Sequence, residues 1–163
     1  MTAHVAKTRR SGAEQARLEA AIADVFEQQI TFNQTLGLKL ASLGDNEVTA
    51  RFEMHVGLTG HRLSGRLHGG VTAAVLDTTG GLLIMWALAE KYADESPEQV
   101  LHRFNRVGTI DLRTDFLRQG VGRVFTARAH LLRLGGHFGS VQMQLHNEEG
   151  VLLATGAGTY VSA

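Results

Sequence analysis

Asp77 and the triplet His68-Gly69-Gly70 are the residues of this sequence whose types and spacing can do chemistry. Between Gly69 and Ala89 Asp77 is the one charged side chain in a run of apolar and small residues. A helix that is apolar all round is a buried helix, and an unpaired carboxylate in a core costs several kcal/mol or neutralises instead. An aspartate kept in such a run is therefore hydrogen-bonded, paired, or set at the edge of a site open to water. The glycines that open the run let a ligand approach the unpaired N–H groups of a helix start, where the dipole favours negative charge. The two features are a candidate carboxylate and a candidate anion or oxyanion site.

One copy of the helix cannot bring both to a single reacting atom. Asp77 follows His68 by nine residues, which is roughly 13 Å along the axis and the opposite face of the helix. If they act together, a second helix of the same kind supplies the missing half, and a two-fold homodimer is its simplest source.

The rest of the chain reads as what must hold that helix. The spacing of Leu18, Ala21, Ile22, Val25, Phe26 and Ile30 predicts a first helix over Ala13 to Thr31, ended by Asn33 and Gly37. A short strand over Leu36 to Leu43 and an Asp45-Asn46 turn lead into alternation at Val48, Ala50, Phe52 and Met54, a hairpin with one buried face. Gly57 to Arg66 reads as a loop. Ser96-Pro97 followed by Glu98-Gln99 starts a short extra helix to about Phe104. Thr109–Leu117, Gly122–Leu134, His137–Asn147 and Val151–Val161 are four strands joined by short glycine-bearing turns, hence antiparallel. The fold class is α+β, an antiparallel sheet of about six strands curled around one long central helix. Residues 1–12 read as a solvated tail and 13–163 as one domain.

Composition narrows the function. With 16 Lys+Arg against 16 Asp+Glu, the chain gives no electrostatic reason to expect nucleic acid or an anionic membrane. It has no cysteine, so no disulfide and no thiolate chemistry, which fits a cytoplasmic protein. The central run is long enough to span a bilayer, but its mid-length Asp, its glycines and the strand pattern after it speak for a core helix. His55, His61 and His68 lack a carboxylate or Cys at metal-site spacing, so no metal is expected. Serine-hydrolase, nucleotide-triphosphate and dinucleotide motifs are absent.

RLHGGVTAAVLD, with LGLKL before it and GTIDLRTDFLRQG and NEEGVLLATGAGTYV after it, resembles the hotdog-fold acyl-CoA thioesterases of the PaaI-like branch from about Ile30 onward. The Pro97 helix and the GTID strand further resemble the YigI-like medium- and long-chain acyl-CoA thioesterases. The resemblance implies Asp77 as general base or nucleophile and the Gly69 N–H as oxyanion donor. His68 would position that segment, and Thr109 would lie near Asp77 to orient water. Gly70, His61 and Arg113 are implied as substrate-binding, with His61 and Arg62 standing where the branch often carries an Asn. Arg103, Arg106, Arg118 and Arg133 join Arg113 as cations for the phosphates of coenzyme A. No cofactor is implied. The resemblance implies acyl-CoA as the partner and a homodimer, paired into a tetramer as a dimer of dimers, as the assembly.

Two other functions live on this fold. A hotdog hydratase or dehydratase uses a His and an acidic residue across the dimer. A non-catalytic acyl-CoA-sensing regulator would need a DNA-binding appendage, for which the first helix is too little.

Overall fold

A computed structural model describes residues 9–61 and 63–162, the side chain of His61 excepted. Helix α1 (Gly12–Asp24), a π-helical turn (Val25–Gln29) and α2 (Thr31–Leu36) precede strands β1 (Lys39–Gly44) and β2 (Glu47–Glu53). A 3-10 turn (Val56–Leu58) and the short β3 (Thr59–His61) and β4 (Arg66–Leu67) lead into α3 (Gly69–Lys91) and α4 (Pro97–Phe104). Strands β5 (Gly108–Phe116), β6 (Val124–Leu134), β7 (Phe138–Asn147) and β8 (Leu152–Val161) complete the chain. The main sheet is antiparallel, in the order β1-β2-β6-β7-β8-β5.

Alternation explains how the sheet holds α3. Val48, Ala50 and Phe52 of β2, Phe125, Ala127 and Ala129 of β6, and Val141, Met143 and Leu145 of β7 are buried, with more exposed residues between them. These inward positions form the core with Leu82, Leu83, Ile84 and Leu88 of α3. Each large aliphatic side chain so covered contributes about 2 kcal/mol of transfer free energy. The run long enough for a membrane span thus has its apolar faces against its own sheet. Trp86 packs there too, its indole N–H donating to the Gly44 carbonyl at 3.0 Å.

Four local features differ from the sequence expectation. The first helix ends at Asp24, and the chain continues through a π turn into α2, so residues 31–36 are helical and β1 begins at Lys39 rather than Leu36. Buried Asn33 explains the break: its side-chain amide donates to the Phe26 carbonyl at 2.9 Å, which the widened turn presents to it. The expected loop 57–66 contains the β3–β4 pair. Residues 1–8 of the expected tail, and Arg62, lie outside the described residues. Arg10 is not a free tail residue, since its guanidinium donates to the carbonyls of Ala89, Tyr92 and Glu95 and caps the end of α3. Finally, α3 is not buried all round. From Val71 through Ala74, Asp77 and Thr78 to Gly81 one stripe is half-exposed.

The extra helix forms as its residues dictate. Ser96 and Gln99 make a reciprocal capping box, and Pro97 occupies the first turn, where its missing N–H is not needed.

Candidate active site

Asp77 lies on the half-exposed stripe, and the chain brings two hydroxyls to it. Thr109 Oγ1 donates to Asp77 Oδ1 at 2.8 Å. The Tyr160 hydroxyl lies 2.9 Å from the Asp77 carbonyl oxygen and 3.2 Å from Oδ1, so its single proton is shared between them. Oδ2 accepts no hydrogen bond among the described residues.

The register of the sheet makes this possible. Thr109 of β5 stands opposite Tyr160 of β8, so their side chains share the face turned to α3. Strict alternation along β5 would put Thr109 on the same face as Arg113, which is exposed. A bulge between Thr109 and Asp111 resets the count, leaving Thr109 and Leu112 both on the helix side and Ile110 outside. Helix α3 meets the pair with Gly80. A Cβ there would lie 2.3 Å from the Tyr160 hydroxyl oxygen, so no larger residue leaves room for it.

The start of α3 forms a second cluster. His68 is the N-cap, and its Nδ1 accepts from the Gly70 N–H at 2.9 Å. Val71 and Thr72 donate to the His68 carbonyl. The Gly69 N–H is left without an acceptor among the described residues, at the positive end of the dipole. Two backbone bonds hold this end in place, from the His68 N–H to the Leu58 carbonyl and from the Leu67 N–H to the Gly120 carbonyl, both 2.9 Å. Beside Gly69 is a cleft of about 350 Å³, walled by Leu67, Thr72, Phe116 and Leu117, with Arg66 and Arg118 also lining it.

Of the residues singled out in the sequence, Asp77 and Thr109 are thus in contact, and His68, Gly69 and Gly70 form a cluster of their own. Within one chain the two clusters stay apart, because α3 is unbroken from Gly69 to Lys91 and the eight-residue step from Gly69 to Asp77 covers about 12 Å. The Gly70 N–H is taken up by His68. Arg113 is exposed and paired with Asp115 at 3.1 Å. Arg103 forks onto Glu95 and stacks over Tyr92, 3.6 Å from its centroid, and Arg118 donates to the Leu152 carbonyl. The His61 side chain falls outside the described residues.

Two residues near Asp77 escaped the sequence reading. Tyr160 is 1% exposed; burial, then the charge and hydrogen bond of Asp77, push its hydroxyl far above the ordinary phenol range. It stays protonated and can only donate to the carboxylate. Its signal was the glycine-lined face Gly156-Gly158-Tyr160, legible once paired with Thr109. Asn33, read as a helix stop, accepts from the Thr78 hydroxyl at 3.0 Å and so pins the helix next to Asp77.

The sequence profile of the thioesterase superfamily matches residues 64–154, which include the His68-Gly69-Gly70 helix start, Asp77 and Thr109 and stop short of Tyr160. The medium/long-chain acyl-CoA thioesterase YigI of Escherichia coli K12 is 34% identical over 140 residues, 86% of this chain and 90% of that protein. A crystal structure from Shewanella oneidensis, of a protein related to the thioesterase superfamily, is 37% identical with a TM-score of 0.87, covering 94% of this chain and all of that one. Zebrafish thioesterase superfamily member 2 shares the fold at 20% identity, with a TM-score of 0.67 over 88% of this chain and 94% of its own. The chain belongs to the thioesterase superfamily, and with its six-stranded sheet wrapped on one helix it is a hotdog-fold thioester hydrolase.

Proposed function

We propose that the protein hydrolyses medium- and long-chain acyl-CoA thioesters at a site shared by two protomers. The observation that carries this reading is the pair of complementary clusters on one helix, an anchored carboxylate at Asp77 and an unpartnered amide at Gly69. The substrate class is supported by the name and the 34% identity of the Escherichia coli relative. A thioester carbonyl is electrophilic enough to need only an aimed oxygen and stabilisation of the oxyanion that develops. Asp77 either takes a proton from the attacking water or attacks itself, giving a mixed anhydride that water then opens. In both routes the carbonyl oxygen gathers charge against the Gly69 N–H of the partner protomer, the C–S bond breaks, and the CoA thiolate leaves and takes up a proton.

The homodimer is supported by β5, an edge strand of the sheet that exposes Ile110 at 53% and Phe116 at 59%. Such an edge is a template for a second chain. A dimer of dimers and a cytoplasmic location complete the proposal.

The test is a thiol-release assay across short, medium, long and aromatic acyl-CoAs, with Asp77→Asn alongside. Release of CoA peaking at medium or long chains, abolished in a folded Asp77→Asn protein, is the expected result. Full activity in that variant removes Asp77 from the reaction. Hydration of an enoyl-CoA without CoA release would move the protein to the hydratase class. Single turnover in ¹⁸O-water tests for the anhydride: label in the Asp77 carboxylate arises only when water opens an anhydride at the Asp77 carbonyl, and its appearance establishes that route.

A further inference from the structure

We propose that Tyr160 is a positioning residue of the reaction: with Thr109 it anchors Oδ1 of Asp77, so that Oδ2 is the oxygen that meets water or the thioester. The inference rests on the reading of Asp77 as the reacting carboxylate, and adds which of its oxygens works and what holds it.

The carboxylate plane of an aspartate is set by a terminal torsion with a broad minimum, so the helix alone does not orient it. Two donors do. Thr109 Oγ1 at 2.8 Å and the Tyr160 hydroxyl at 3.2 Å converge on Oδ1 from neighbouring strands, and Oδ2 accepts none among the described residues. The Tyr160 hydroxyl is also 2.9 Å from the Asp77 main-chain carbonyl, so the donor is registered to the same residue it orients. At 1% exposure the phenol cannot be replaced by solvent.

The surroundings are cut to admit that hydroxyl. A Cβ at Gly80 would meet its oxygen at 2.3 Å, and one at Gly158 would meet the ring at 2.8 Å. A purely structural tyrosine bridging β8 and α3 needs only the carbonyl contact. The bond to Oδ1, and the β5 bulge that turns the second hydroxyl onto the same oxygen, are unexplained by bridging and follow directly from anchoring. The raised phenol fits as well, because a hydroxyl that keeps its proton at every working pH is a permanent donor.

Tyr160→Phe keeps the ring and removes the donor. In the chain-length series the variant is expected to lose roughly ten- to a hundredfold in kcat, the size of a small misplacement of a reacting group, with KM within about twofold of wild type and a folded circular dichroism spectrum. In the Asp77→Asn background, followed by single-turnover measurement, the same change is expected to cost nothing further. A purely structural tyrosine would shift the melting temperature and leave kcat alone. Wild-type kcat in Tyr160→Phe, or an equal loss with and without Asp77, overturns the inference. If Tyr160→Phe does not fold, Thr109→Val probes the same oxygen from the exposed side: a loss confined to kcat supports the anchor, and an unchanged kcat refutes it. An inactive Asp77→Asn beside a fully active Tyr160→Phe removes this inference alone, whereas an active Asp77→Asn removes the reading beneath it.

Discussion

From Leu82 to Ala89 helix α3 is buried on every side, whereas from Val71 to Gly81 it keeps a half-exposed stripe of mostly small residues with Asp77 in the middle. Both halves lie in one unbroken helix against one sheet. The second half uses Leu82, Leu83, Ile84 and Leu88, whose contribution is non-directional and roughly proportional to the area covered. The first half gives up that area. It carries Gly80 and Gly81, and what it contacts at Asp77 is a pair of hydroxyls whose directions matter. Most of the packing that fixes the helix and the proposed site therefore fall on different residues, and the two can be altered separately.

The sharpest way to break that division is Asp77→Asn. Its neutral amide neither takes up a proton nor attacks, so kcat is expected to fall at least ~10³-fold, about 4 kcal/mol of transition-state stabilisation. The melting temperature should stay near wild type; a large drop would mean that Asp77 serves the fold. Leu83→Ala tests the other half. It removes a fully buried side chain and is expected to cost about 3 kcal/mol in denaturant unfolding, with kcat on the surviving folded protein close to normal.

Gly80→Ala sits at the boundary between the halves. Alanine gains about 1 kcal/mol of helix propensity over glycine, and overpacking against Tyr160 costs about 1 to 3 kcal/mol. The net loss of stability should be near 1 kcal/mol, while kcat falls roughly tenfold because the phenol is pushed from its place. A stabilised and fully active Gly80→Ala protein would blur the comparison.

The smallest effect lies outside both halves, at His146 of β7. Burial, and then the charge of Arg128, lower its pKa from the ordinary imidazole value. The unfolded chain therefore binds this proton more readily than the folded one, and stability is lost as pH falls through about 6.5 toward the folded value. Melting curves between pH 7.5 and 5.5 should show a shallower slope in His146→Leu than in wild type. An identical slope would place the pH dependence elsewhere.

Much of this was legible in the residues. The alternation of β2 and β6 to β8, the Ser96-Pro97 cap and the apolar run of α3 are local or periodic signals, and they appear where their periods put them. The helix break at Asp24 was not legible, because it depends on Asn33 reaching back to Phe26 across the π turn. Thr109 as a neighbour of Asp77 came from resemblance, and alternation alone would have put it on the wrong face. Tyr160 was missed for a related reason. A tyrosine at the end of a glycine-bearing strand has no meaning until the strand has a partner and a register.

The sequence by itself determined the inventory: one costly carboxylate in an apolar helix, a glycine pair at its start, and enough alternating strands to cover it. Composition and period act along the chain, and a helix separates His68 from Asp77 by the same rise in any fold. Only the tertiary structure decided which groups face the carboxylate. That choice rests on the pairing of β5 with β8 and on a bulge of one residue, and a one-residue shift reverses the face of every side chain on a strand. The hydroxyls of Thr109 and Tyr160 meet at Asp77 because the sheet, rather than the sequence spacing, sets that register.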